Sequence, residues 1–143
     1  MSEKDEEKKK AERMLEEKSL QLALLDQELR KIEEQYKLID QTIMNIELTK
    51  LNLEGIKKLK KTEILASLAE GIYVKANIDS VDKVLVNVGK GVVVEKTIEE
   101  TKEILDKKID ELSMLKTILS SEAEKILNEI KIIEEEVNKL VKT

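Results

Sequence analysis

The sequence has 143 residues, of which 41% are hydrophobic and 40% charged, and its net charge is −5. It contains no Cys and no His, which excludes disulfides, thiolate catalysis and the commonest zinc ligands. Only 1% of the residues are aromatic, and this aliphatic, highly charged composition is typical of long helices and coiled coils rather than of a compact globular core.

Residues 1–60 are predicted to form a first coiled-coil helix. From Leu15 to Leu53 the apolar residues recur at alternating steps of three and four, and only Lys18 and Lys50 interrupt this stripe. A period of 3.5 residues that is sustained over such a length indicates a coiled coil rather than a helix of a globular protein.

Residues 61–96 are predicted to form a strand-rich centre. Residues 72–79 and 84–88 alternate apolar and polar side chains, as half-buried strands do, and the short polar loop between them suggests that they pair antiparallel. Gly89 and Gly91 indicate a tight turn before a strand at 92–94, and residues 64–68 are a candidate first strand.

Four short strands cannot enclose a stable core alone, so we expect them to pair with sheets of other chains and to act as an oligomerisation device. The alternative is a monomer whose small sheet packs on its own helix ends. The predicted assembly surface consists of the following apolar strand residues: Ile64, Leu68, Ile72, Val74, Ile78, Val84, Val86, Val88, Val92 and Val94.

Residues 97–143 are predicted to form the second coiled-coil helix. Thr97 and Glu100 have the spacing of a capping box, in which each side chain bonds the backbone N–H of the other residue. A second heptad stripe runs from Ile98 to Leu140 and is interrupted by two lysines.

The two stripes fit each other in one antiparallel register, in which facing residues have numbers that sum to 155. Leu15 then faces Leu140, Tyr36 faces Leu119, and the seam lysines can extend their stems over apolar neighbours while the ammonium groups stay in water. Both ends of the sequence meet at one tip, where helices fray most easily. The predicted binding surface at this tip combines off-seam residues with seam residues that fraying would expose: Met14, Leu15, Leu20, Leu22, Leu24, Ile132, Ile133, Val137, Leu140 and Val141.

The central segment resembles the prefoldin family, and within it the alpha-type subunit. The resemblance is carried by Ile72-Tyr73-Val74-Lys75-Ala76 and by the run from Lys83 to Lys96 with its Val-x-Val-Gly-x-Gly pattern, and it extends over nearly the full chain. One departure is Ala66-Ser67-Leu68, where the family often has a proline before the leucine.

This resemblance implies an α+β fold, with a long antiparallel two-helix coiled coil and two β-hairpins between the helices that form an oligomeric β-barrel hub. It implies an archaeal chaperone subunit that works without ATP or any other cofactor. Two alpha and four beta subunits would form a hexamer that holds non-native proteins at its coiled-coil tips and passes them to a group II chaperonin.

Other functions have less support in the sequence. An enzyme is not expected, because no P-loop or dinucleotide motif is present, and Gly89 and Gly91 fit a turn between strands better than a phosphate loop. A structural coiled-coil scaffold that binds a defined partner is the alternative function.

Nucleic acid is not an expected partner, since the basic runs at 8–10 and 57–61 have acidic neighbours. No apolar run could cross a membrane and no apolar leader segment is present, so a cytoplasmic location is expected.

Overall fold

A computed structural model describes residues 2–142 of the chain. In the sequence, four strands lie between two long helices. This order confirms the predicted fold class of two helices with two hairpins between them. The elements are α1 (Glu3–Lys57), β1 (Lys60–Ala69), β2 (Ile72–Ser80), β3 (Lys83–Gly89), β4 (Val92–Thr97) and α2 (Ile98–Val141).

The described residues fall into two compact units. The first unit, here called the end unit, contains the chain up to Asp40 together with the chain from Ser113 onward. The second, here called the hairpin unit, runs from Gln41 to Leu112 and contains all four strands.

The start of each helix is fixed by local hydrogen bonds. At α1 the backbone N–H of Asp5 donates to Ser2 Oγ over 3.4 Å, and three acidic residues in the first turn complement the helix dipole. At α2 the N–H of Thr97 donates to Glu100 Oε1 and the N–H of Glu100 donates to Thr97 Oγ1, both over 3.1 Å. The predicted capping box is therefore confirmed.

The heptad stripes are the least exposed surface of both helices. Every stripe position from Leu15 to Leu53, and every one from Ile98 to Leu140, is buried or half-buried. The lowest exposures belong to Ile32 in the end unit and to residues of the hairpin unit, where Ile98 is only 1% exposed. The 3.5-residue period of the sequence thus corresponds to one apolar seam on each helix.

The four strands form two separate antiparallel hairpins. In the first, β1 pairs with β2 so that Ile64 lies opposite Ala76, and in the second, β3 pairs with β4 so that Val86 lies opposite Val94. The predicted pairing of β2 with β3 is wrong. In the described chain β1 pairs with β2 and β3 pairs with β4, and no strand of one hairpin pairs with a strand of the other.

Turn chemistry explains this strand pairing. A tight hairpin turn needs residues with positive φ, and Gly71 has a φ of 81° and Gly91 a φ of 75°. The N–H of Gly89 also donates to Asn87 Oδ1 over 3.0 Å at the second turn. The link between β2 and β3 consists of Val81 and Asp82, and a β-branched residue disfavours positive φ.

Candidate functional site

The end of α2 lies beside the first part of α1 in the end unit. Leu15 of α1, together with Leu140 and Val141 at the end of α2, lines one open cavity of about 590 Å³. Further from these ends, Leu24 and Ile133 line a second cavity of about 250 Å³. The structure therefore brings together residues that are more than a hundred positions apart, as the antiparallel register predicts.

The predicted tip residues divide into two groups by exposure. Those off the seam are between 40% and 68% exposed, and this group contains Met14, Leu20, Leu24, Ile132 and Val141. Those on the seam are half-buried, and this group contains Leu15, Leu22, Ile133, Val137 and Leu140. A ligand can reach the first group while the helices stay paired, whereas full access to the second group requires the helix ends to separate.

The lysines that interrupt the stripes make ion pairs across the seam. Their side chains are 19–27% exposed, which agrees with the expectation that their stems lie on the seam while the ammonium groups reach its edge. The sequence did not indicate which carboxylates form ion pairs with these lysines. The pairs are Lys18 with Glu136 and Lys116 with Asp40 in the end unit, and Lys50 with Asp106 and Lys102 with Glu54 in the hairpin unit.

These ion pairs also report on the helix register. The residue numbers of the four pairs sum to 154 or 156, on either side of the predicted 155. The hydrogen bond to Asp106, over 2.5 Å, raises the pKa of Lys50, and the hydrogen bond to Asp40 raises the pKa of Lys116. The Lys116 ammonium also lies 4.9 Å from the centre of the Tyr36 ring, close enough for a cation–π contact. Both lysines therefore remain charged well above neutral pH.

The predicted assembly residues are only partly covered within one chain. The half-buried members lie on one face of each hairpin, and they are Ile64, Ile78, Val84, Val86 and Val94. The remaining members are exposed, and they are Leu68, Ile72, Val74, Val88 and Val92.

The opposite faces of the hairpins carry apolar residues that the sequence reasoning did not select. Leu65, Tyr73, Leu85 and Val93 are each more than half exposed there. Alternation of apolar and polar residues predicts only one apolar face for each strand, so apolar residues on the second face were not expected. An isolated two-stranded sheet that is apolar on both faces is marginally stable in water, so these hairpins are suited to assembly.

The described part of the chain offers neither a metal-binding cluster nor a membrane-spanning helix. Residues 2–142 contain no group of three or more His, Cys, Asp or Glu side chains that could hold a metal ion. Over the same residues, neither helix has a stretch long and apolar enough to cross a membrane.

Comparison with known proteins identifies the family. The family model described as prefoldin subunit matches residues 25–143. The chain belongs to the prefoldin family. This family consists of chaperone subunits that assemble with one another rather than of enzymes, which confirms the expectation that the chain is not an enzyme.

Similar prefoldin subunits come from archaea. The prefoldin subunit alpha of Thermofilum pendens is 33% identical over 127 residues, which cover 88% of this chain and 95% of that protein. The prefoldin subunit alpha of Methanococcus vannielii is 34% identical over 121 residues, which cover 82% of this chain and 80% of that protein. These matches confirm the resemblance to archaeal alpha-type prefoldin subunits.

A solved structure supports the prefoldin fold. A filamentous PFD from Methanocaldococcus jannaschii, determined by cryo-EM, matches with a TM-score of 0.74 at 18% identity, over 82% of this chain and 98% of that chain.

Proposed function

We propose that this chain is the alpha subunit of an ATP-independent holdase. It binds non-native proteins at the tip where the end of α2 lies beside Met14 and Leu15 of α1, and it delivers them to a group II chaperonin in the cytoplasm. Two copies join four beta-type prefoldin subunits in a hexamer whose hub is a β-barrel. The observation that carries this proposal is the group of exposed aliphatic side chains at the chain ends.

The chemistry of the tip suits clients that have no fixed shape. The exposed side chains there are Met, Leu, Ile and Val, and the cavities that Leu24 and Val141 line are open rather than enclosed. Flexible apolar side chains adapt to many apolar sequences, and each contact is weak. Several tips that engage one client raise the overall affinity through multivalency, and this removes the need for a specific pocket at each tip.

The hairpins support assembly through edge pairing. Each hairpin has only two strands, so each strand has one edge that is unpaired within the sheet, and both faces carry exposed apolar residues. Closure into a barrel with hairpins of other subunits would pair these edges and bury these faces. The similar structure from M. jannaschii is a filament, so an open-ended homo-oligomer is the assembly that competes with the hexamer.

A structural scaffold that binds one defined partner is the second candidate function. It would use the same helices and hairpins, but it would depend on the shape of particular tip residues. Replacing Leu20 and Leu24 by Ile keeps the surface apolar and alters its shape. A holdase tolerates this change, whereas a scaffold loses its partner.

The proposal is tested by the ability of the assembled chain to suppress aggregation of guanidinium-unfolded citrate synthase, measured by light scattering. The variant L20Q/L24Q makes two exposed tip leucines polar. The matched control L48Q/L51Q changes two leucines of α1 that are similarly exposed but lie in the hairpin unit.

We expect L20Q/L24Q to lose most of the protection and L48Q/L51Q to keep it, with the assembly mass unchanged in both. Equal protection by wild type and L20Q/L24Q would refute holding at the tip. Absence of protection by the assembled wild type would favour the scaffold. A mass that grows without limit in the absence of a beta-type partner would replace the hexamer by a filament.

A further inference from the structure

One side of the paired helices in the end unit carries a row of open cavities. Three open cavities of about 250, 470 and 350 Å³ succeed one another along it. The first and second share Glu129 as a lining residue, and the second and third share Gln35. We call this feature the side groove, and it runs from Leu24 to Leu38 on α1.

The heptad positions explain why these residues share one side. With Leu15 and Lys116 each counted as position a, the lining residues outside the seam occupy positions c and g on both helices. In an antiparallel pair of helices these positions lie along the same edge of the seam. On the opposite edge, at position e, Glu33 and Ser120 line a different cavity.

The two ends of the side groove are apolar. At the end nearer the tip, Leu24 lines the first cavity, and Ile132 occupies the same layer in the register of the ion pairs. At the other end, Leu38, Leu115 and Ile118 line the third cavity and are 62%, 47% and 53% exposed. Leu24 and Leu38 are two heptads apart, so the two apolar ends are separated by roughly 21 Å along the helix.

The middle of the side groove is charged with both signs. Glu28, Glu122 and Glu129 supply carboxylates, and Lys31 and Lys125 supply ammonium groups. An extended, unfolded chain carries backbone N–H and C=O groups that need hydrogen-bond partners. Carboxylates can accept from those N–H groups and ammonium groups can donate to those carbonyls, whereas a folded helix satisfies its backbone internally.

We infer that the side groove binds an extended segment of a non-native polypeptide, with apolar side chains at its two ends and polar backbone contacts between them. At about 3.3 Å per residue, an extended chain covers the 21 Å in about six residues. The preferred segment therefore has two apolar clusters about six residues apart. This inference rests on the proposed holdase function and extends the client surface from the tip along the paired helices of the end unit, in continuity with Leu24 and Ile132.

The test uses the full chain assembled with a beta-type subunit and a fluorescent, reduced and carboxymethylated α-lactalbumin, which is permanently unfolded. The groove variant is L115Q/I118Q. The matched control M114Q/L127Q changes two exposed apolar residues of α2 in the end unit, at positions f and e and therefore outside the groove. Circular dichroism verifies that both variants keep their helix content, as expected for half-exposed sites.

We expect the dissociation constant, measured by fluorescence anisotropy, to rise about tenfold for L115Q/I118Q and less than twofold for M114Q/L127Q. The estimate follows from losing roughly half of the burial of two aliphatic side chains. In addition, a photoreactive p-benzoylphenylalanine at position 118 should crosslink to the α-lactalbumin, and the same group at position 127 should not.

Three outcomes would overturn the inference in different ways. If L115Q/I118Q binds as wild type does while M14Q/L20Q, which changes two tip residues outside the side groove, does not, clients contact the tip alone and the holdase function stands. If L115Q/I118Q changes the assembly mass by light scattering, the side groove is covered by another subunit. If the assembled wild type does not bind the α-lactalbumin at all, the proposed function itself fails.

Discussion

Replacing Leu53 by Ala measures how strongly the seam stabilises the helix pair. Leu53 is 7% exposed, and the burial of a leucine side chain is one of the larger single contributions to the stability of the seam. Leu→Ala substitutions at buried sites cost about 2–5 kcal/mol, and a two-helix seam can partly relax around the cavity. We therefore expect the free energy of unfolding to fall by about 2–3 kcal/mol, measured by urea titration with circular dichroism.

The matched control is Leu51, which lies two residues away on α1 and is 69% exposed. The same substitution there removes little buried area and keeps a good helix former, so the change should stay within about 0.5 kcal/mol. The difference of about 2 kcal/mol corresponds to about 30-fold in the unfolding equilibrium constant. Several protein concentrations are needed, because assembly raises the apparent stability. Equal losses at both positions would refute the assignment of the seam to one face of α1.

Two further predictions concern backbone conformation and charge. Gly91 has a φ of 75°, so Gly91→Ala should destabilise the second hairpin by about 1 kcal/mol. Gly55 is a helical site with open space around the new Cβ, so Gly55→Ala should stabilise α1 by about 0.5–1 kcal/mol. Thermal unfolding of both variants checks this, and stabilisation by Gly91→Ala would contradict the turn geometry. Asp106 raises the pKa of Lys50 in the folded chain, so the pair stabilises the fold below the ordinary lysine pKa, and this stability is lost as the pH rises through the raised value. The stability difference between wild type and Asp106→Asn should therefore be constant from pH 7 to about 9 and shrink at higher pH, and a difference that grows there would refute the pairing.

Features that depend on residues close in sequence were predictable. The capping box needs only Thr97 and Glu100, three positions apart, and it forms with both expected hydrogen bonds. The heptad stripes predicted the buried face of each helix, because a helix with one apolar stripe buries that stripe against its partner.

The strand pairing was not predictable from alternation alone. Alternation assigns side chains to the two faces of a strand, but it carries no information about which strand lies beside it. The turns made that choice, since Gly71 and Gly91 permit tight hairpins and the Val81–Asp82 link does not favour one. The apolar residues on the second face of each hairpin, such as Leu65 and Leu85, were missed for a different reason, because alternation predicts only one apolar face for each strand.

The sequence by itself therefore determined the two helices and the apolar seam on each, because a heptad period fixes which face of a helix is buried. It also predicted an antiparallel register that the ion pairs match to within one residue. Only the tertiary structure decided which carboxylate each seam lysine meets and that Leu38, Leu115 and Ile118 line one cavity. These contacts join residues from different helices, about eighty positions apart for Leu38 and Ile118. No local pattern in the sequence records such a contact, because the contact depends on how the two helices pair.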